Sequence, residues 1–424
     1  MKKVVCILVC TAMLLSLFGC SQVVEQTEPQ LWEEHTASTE RKPEIKPTEG
    51  TVPVENTQPT EPSSIVAPPE KEFLVAVTLN PGSNELLSDD NSEIFSFKYQ
   101  DVTVWIPEYP DAAQRIMDDM DAGIHSAWDA AQSLRSWAQE EYDESKQDWV
   151  AYYSRILYRP QRLDTRVFSL SGEVDDFSGG AHPNVTAISA TYETKTGKAL
   201  SLMDIVINVD MLVPLQTLTL EKVVQLSETV ELFDYQDAVA ARFDLTNPAS
   251  SCWYFSEDGL VFYFSPYEVA AYGQGVVTVE ISYGSLKGIL KEQYFPASFD
   301  NVENYSINAA KVDQIDFNSF DTTFNVQMDN GGEQIAIFTH TKLYQVMLST
   351  GYWNAFDDQF HVEQILFAAN RMTDQELLMV QTFIPDTLPN LKLTTNNGSE
   401  VETLYISQSG KDGSILLLDP GSLA

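Results

Sequence analysis

The stretch DFSGGAHPNVTA (Asp176–Ala187) is where this chain gathers groups able to do chemistry. Carboxylates stand at Asp175 and Asp176, a hydroxyl at Ser178, and His182 lies just beyond a glycine pair. A serine oriented by a histidine is an arrangement that turns a weak hydroxyl into a nucleophile. The surroundings argue against it here. No GxSxG elbow and no HExxH spacing occurs, and His35, His125, His340 and His361 fall in other segments. Neither an enzyme nor a metal centre is expected, and no cofactor is implied. The stronger reading is a backbone device. Gly179 and Gly180 can take angles closed to other residues, Pro183 fixes φ, and Asn184 can bond nearby backbone groups. His182 can pin the turn with its two ring nitrogens. A rigid glycine-rich surface loop also suits binding, so ligand contact stays open beside the structural role.

A second loop, SPYEVAAYGQG (Ser265–Gly275), raises the same alternatives. Tyr267, Glu268 and Tyr272 form a candidate binding or structural loop, since tyrosine is enriched among interface anchors. Packing over a sheet, with hydroxyls satisfied locally, is the favoured alternative. Trp105, Trp128, Trp137 and Trp253 are expected in or at the edge of the core, although exposed aromatics would also suit a glycan platform. A phosphate loop at Thr196-Gly197-Lys198 fails, because Ala199 replaces the hydroxyl residue and the required upstream glycine is missing.

The elements that must carry these loops follow from periodicity. FLVAVTLN from Phe73 and IFSFKYQDVTVWIP from Ile94 read as strands. From Asp111 to about Glu141, Ile116, Met120, Ile124, Trp128, Ala131 and Leu134 recur at spacings of three and four, an amphipathic helix beginning after Pro110. His125 is expected at its surface. WVAYYSRILYRP and RVFSLSGEVDDF read as strands leading into the glycine loop, and a hairpin turns at Lys195–Lys198. Leu202 to Leu232 predicts a helix or two. A strand, an Asp258-Gly259 hairpin turn and two more strands follow, then a short helix over Lys287–Gln293. From Val302 short apolar runs alternate with turn clusters such as DNGG, which predicts a small all-β sandwich without long helices.

The N-terminus, MKKVVCILVCTAMLLSLFGC, has a basic start and a short apolar run, the shape of a secretory signal. Its ending looks like a bacterial lipobox, which implies cleavage before Cys20, lipidation of that thiol, and tethering outside the cytoplasmic membrane. Ser21–Glu70 is rich in Pro, Thr and Glu and reads as an extended stalk. Of the four cysteines only Cys252 would remain free, which leaves no intrachain disulfide. The net charge is −37, and residues 71–300 alone carry 15 basic against 36 acidic side chains, so the acidity belongs to the folded part. Such a surface repels nucleic acid and anionic lipid and attracts cationic proteins.

GGAHPN (Gly179–Asn184), TGKALSLMDI, FSEDGLVFYFSPYEVAAYGQG and VEISYGSL fall in one order along the chain. Together they resemble the C-terminal domain family of the extracellular part of the anti-sigma-V factor RsiV. The preceding strands and helix resemble the module before that domain, which is also found in a peptidoglycan deacetylase. The resemblance covers roughly Phe73–Pro296 and implies an α+β fold and a cell-wall-related protein partner, with lysozyme the leading candidate. A lipid anchor in place of a transmembrane segment rules out holding a sigma factor, and no TFDDGP-like motif brings the deacetylase chemistry. The expected organisation is a signal (1–19), a stalk (20–70), an RsiV-like unit with an antiparallel sheet and a long helix, made of an N-terminal module (71–165) and an RsiV C-terminal-like domain (166–298), and a small all-β sandwich-like domain (299–424). The alternative function is binding of cell-wall glycan, or peptidoglycan, or service as an accessory to an envelope enzyme.

Overall fold

Apolar residues at alternate positions, flanked by turn residues, build the first hairpin. The computed structural model describes residues 72–424 except 145–147, 248–250, 303–304, 329–331, 355, 383–388, 399 and 423–424. The leader, Cys20 and the stalk lie outside the described residues. β1 (Ala76–Leu87) and β2 (Glu93–Trp105) pair antiparallel, and Val77, Leu79, Phe95 and Phe97 point into one core. α1 (Pro110–Glu144) opens on a proline, whose missing N–H would be unpaired there anyway, and Asp111 complements the helix dipole. Its buried stripe is Ile116, Met120, Ile124, Ala127, Ala131, Leu134 and Ala138, with Trp128 at the edge against Phe97. His125 is exposed on the opposite side, as expected.

β3 (Tyr152–Leu163) follows α1 and pairs with β2 in parallel, Phe95 opposite Tyr152. The expected purely antiparallel sheet is therefore corrected. A long helix laid along the sheet returns the chain to the end where it started, and only a parallel neighbour can follow such a crossover. β4 (Val167–Phe177), β5 (Asn184–Glu193) and β6 (Lys198–Ala199) continue antiparallel, the last turn using Gly197 at φ 68. A side chain at Gly197 would strike the Ala112 carbonyl at 2.5 Å, so α1 docks there because the residue has none.

The next segment holds α2 (Leu202–Ile205), α3 (Leu212–Leu226) and α4 (Tyr235–Arg242), then β7 (Trp253–Phe255), β8 (Gly259–Phe264) and β9 (Val277–Ser282) as a three-stranded antiparallel sheet. α4 was not foreseen, because its eight residues carry too little apolar periodicity. The expected closing helix at Lys287–Gln293 is replaced by turns, with Gly288 at φ 78 and only a short 3-10 turn at Glu292–Tyr294. Gly259 is required for a reason other than the turn: a Cβ there would meet the Ile281 carbonyl oxygen of β9 at 2.2 Å.

The tail supplies β10 (Ile307–Lys311), β11 (Thr322–Gln327), β12 (Glu333–Thr339), β13 (Leu343–Asn354), β14 (Gln359–Met372), β15 (Glu376–Thr382), β16 (Leu391–Asn396), β17 (Val401–Gln408) and β18 (Ile415–Leu418). β10, β12, β15 and β11 form one sheet, and its apolar residues share a core with those of β13, β14, β16 and β17, a two-layer arrangement. The tail is not a separate sheet, however. β14 pairs with β1, Ala76 opposite Ala369, so an 11-stranded sheet runs in the order β18-β17-β16-β13-β14-β1-β2-β3-β4-β5-β6. It crosses both expected boundaries, near 165 and near 298. Asn370 stitches the seam, accepting from the Val75 N–H and donating to the Phe73 carbonyl, each at 2.9 Å. The cause is legible in β1: Phe73 and Val75 face the α1 core while Leu74 and Ala76 face the tail core, so both faces need cover. The whole is mixed and dominated by sheet, in keeping with an α+β class.

Candidate functional site

β3 alternates strictly. Tyr152, Ser154, Ile156 and Tyr158 are buried toward α1, while Tyr153, Arg155, Arg159 and Gln161 are half-buried on the other face. The register with β4 sets Arg155 opposite Asp175 and Arg159 opposite Ser171, with Glu173 diagonal to Arg159. The three-stranded sheet caps this face from above. Trp253 N–H donates to Ser189 Oγ at 3.0 Å, and Phe255 N–H to Ser169 Oγ at 2.9 Å. The Tyr263 hydroxyl donates to Glu173 Oε1 at 2.8 Å. Between the two layers lies an open groove of about 480 Å³, walled by Arg159, Glu173, Val185, Tyr254, Tyr263 and Tyr272 among others.

The charges of β3 and β4 in and beside the groove are largely paired. Arg159 Nη1 donates to Glu173 Oε1 at 2.9 Å, and Gln161 Nε2 to Ser171 Oγ at 2.9 Å. Arg155 donates from Nε at 3.0 Å and from Nη2, both to Asp175 Oδ2. Asp175 Oδ1 is buried and has no hydrogen-bond partner among the described residues. Burial, and next the Glu173 charge, push the Tyr263 hydroxyl far above its ordinary range, so it stays a donor. Burial, and next the Glu280 charge, push Tyr254 up to about 12. Asp176 is raised mainly by burial, with Ser154 opposing and the Asp175 charge assisting.

The two loops singled out from sequence meet at the groove's mouth. Gly179 takes φ 77, and a Cβ there would come within 2.9 Å of the Tyr152 ring. Gly180 has a negative φ and open space around it, so only the first glycine is demanded. His182 Nδ1 lies 2.8 Å from the Pro183 carbonyl and its Nε2 lies 3.3 Å from the Tyr267 hydroxyl. That pattern assigns the proton to Nδ1, with Tyr267 donating to Nε2. His182 stacks on Tyr272 with ring centroids 3.6 Å apart. Asn184 opens β5 opposite Asp176. Tyr267 is 57% exposed and held at φ 70, a conformation bulky residues rarely adopt. Glu268 turns away from the mouth: it accepts from buried Arg242 at 2.6 Å and from the Ser265 N–H at 2.5 Å, holding the loop from behind. His182, Tyr267 and Tyr272 thus come together, while Gly179, Gly180, Pro183, Asn184 and Glu268 shape what holds them. Both His182 nitrogens are committed to Pro183 and Tyr267, not to Ser178 or Asp176.

Sequence reasoning passed over Arg155, Arg159, Glu173, Tyr254 and Tyr263. The signal was present, as period-two spacing of polar residues in YYSRILYRPQR and SGEVDDF, but it reads equally as a solvated strand face. Nearby, Arg162 is buried and donates to Asp164, to the Tyr283 hydroxyl and to the Tyr294 carbonyl at 2.6–2.7 Å. Burial raises the adjacent Glu257 carboxyl to about 7 against the opposing Arg162 charge. Burial also pushes the Cys252 thiol up to about 11, which leaves it protonated and inert. Among the described residues no group of three or more His, Cys, Asp or Glu side chains is placed to hold a metal ion.

Two solved structures are similar to part of the chain. One is a DUF3298 family protein from Pseudomonas aeruginosa PAO1, at 15% identity, covering 52% of this chain and 96% of that one, with a TM-score of 0.34. The other is a DUF3298 family member from Bacteroides fragilis, at 15% identity, covering 51% and 94%, with a TM-score of 0.36. No curated protein matches. Residues 210–284, from the turn before α3 to the end of β9, match the family model described as "Protein of unknown function (DUF3298)", and the chain therefore carries a DUF3298 domain there.

Proposed function

We propose that this chain is a bacterial lipoprotein, tethered through Cys20 to the extracytoplasmic face of the membrane, whose RsiV-like unit grips a cationic protein partner. Lysozyme is the leading candidate, and sequestration or surface sensing is the consequence. The observation that carries the reading is the groove: open, tyrosine-walled, and cut into a chain of net charge −37. Its ordered motifs and its DUF3298 domain are consistent with the RsiV-like assignment. An acidic surface speeds encounter with a basic protein and makes binding fall with salt. Calorimetry of the full chain with lysozyme over a salt series tests it. Binding at low salt that weakens as salt rises is expected, and no heat at low salt rejects the named partner.

A second reading, recognition of cell-wall glycan, is favoured by the wall composition. Tyr254, Tyr263 and Tyr272 offer rings, while Arg159, Glu173 and Gln161 offer donors and acceptors. Pelleting with purified peptidoglycan, with the lipid removed, separates the two.

A further inference from the structure

We infer that the groove's mouth, at His182, Tyr267 and Tyr272, is a subsite for one arginine side chain of the bound partner, an inference that rests on the protein-binding reading above. The rings form a compact cluster, with Tyr272 stacked on His182 and Tyr267 5.8 Å from Tyr272 at 36°. Aromatic faces attract a cation, and a guanidinium both stacks and donates. The backbone at Tyr267 points the same way. Its turn is closed by its own N–H to the Ala270 carbonyl at 3.0 Å, a bond that any residue could make. Glycine would take φ 70 with less strain, so the ring is kept for what it touches.

The second observation is the orphaned oxygen. Asp175 is 5% exposed, and both Arg155 contacts fall on Oδ2, so buried Oδ1 lacks a donor. Asp175 stands on the groove face of β4, opposite Val185 of β5, which walls the groove together with Tyr272. A buried carboxylate oxygen without a partner is uncommon and calls for an N–H or O–H. Asp175 and Glu173 offset Arg155 and Arg159 on this face, so the preference for a cation comes from the unpartnered oxygen and from the net charge of −37 of the whole chain. A planar, multi-donor cation meets the ring and the acceptor requirement and also complements the chain's negative charge, whereas a sugar meets the first two without charge, and the sugar arm of the test separates them.

The test is calorimetry of the full chain in detergent with N-acetyl-tetraarginine amide, tetralysine and an N-acetylglucosamine tetramer, with lysozyme in parallel. The variants are Tyr267→Gly and Tyr272→Ala. Tetraarginine is expected to bind the wild type more tightly than tetralysine, and to bind each variant roughly tenfold or more weakly. Tyr267→Gly should melt at the same or a higher temperature, since strain is removed. Absence of tetraarginine binding, or equal binding by wild type and variants, overturns the subsite. Binding of the sugar tetramer in place of tetraarginine overturns it in favour of glycan. Lysozyme bound equally by all three proteins overturns the subsite and leaves the protein-binding reading standing. Tetraarginine binding that is sensitive to the variants, without lysozyme binding, keeps the subsite and removes lysozyme as the partner.

Discussion

β3 and β4 show one pair of strands serving two environments. Toward α1, Tyr158, Phe168, Leu170 and Val174 are packed in a dry core with almost no exposure. Toward β7–β9, the alternate residues Arg155, Arg159, Glu173 and Asp175 are held by ion pairs and hydrogen bonds beside an open groove. Backbone, register and neighbours are shared, so the difference lies in the side chains and in what covers them. The α1 face stabilises by removing apolar area from water. The groove face contributes little, because partly exposed ion pairs are worth about 0–1 kcal/mol, and it carries a buried oxygen without a partner. The unpartnered Asp175 oxygen thus lies on the face that has room for a ligand.

The largest effect that could break this contrast is on the dry face. Phe168→Ala should cost about 3–5 kcal/mol in urea denaturation, with ligand binding by the folded fraction unchanged. A loss well under that range would mean the α1 face is not the main core. Next comes Glu257, whose folded-state value is raised from 4.5 to about 7 by burial. A raised carboxyl favours the protonated fold, so its contribution is fully present below about pH 4.5 and is lost as pH rises toward 7. Glu257→Gln should therefore be more stable than wild type at alkaline pH. The gain, reduced by partial exposure, should be on the order of 1–2 kcal/mol. It should vanish in acid, and denaturation curves that coincide at both ends of the pH range would refute the assignment. The smallest effect belongs to the groove floor. Arg159→Gln should change stability by less than about 1 kcal/mol, while lysozyme is captured at least as tightly at low salt, because a competing positive charge is gone. Weaker capture would argue that Arg159 itself contacts the ligand.

Much of the α1 side was legible before the fold was known. Ile116, Met120, Ile124, Ala131 and Leu134 mark one helix face, and helix formation answers to spacing within a few turns. The hairpin at Gly197 was legible for the same local reason. Other features were not. The parallel step from β2 to β3 depends on which way a helix returns, and the β1–β14 pairing joins residues almost three hundred positions apart. Gly259 was correctly marked but for the wrong cause, because the clash that forbids a side chain there comes from β9. At the site, His182, Tyr267 and Tyr272 stood out by type, whereas Arg155, Arg159 and Glu173 looked like solvated strand residues.

The sequence by itself determined the acidity, the alternation that gives β3 and β4 two unlike faces, the amphipathic stripe of α1 and the glycine turn at Gly179. Each depends on composition or on neighbours within a few positions. Only the tertiary structure decided that the glycine loop and the tyrosine loop share one mouth, with His182 and Tyr267 in contact across 85 positions. It also decided that the tail extends the same sheet. Such meetings are chosen by burial summed over whole layers, and no local preference of the residues involved encodes them.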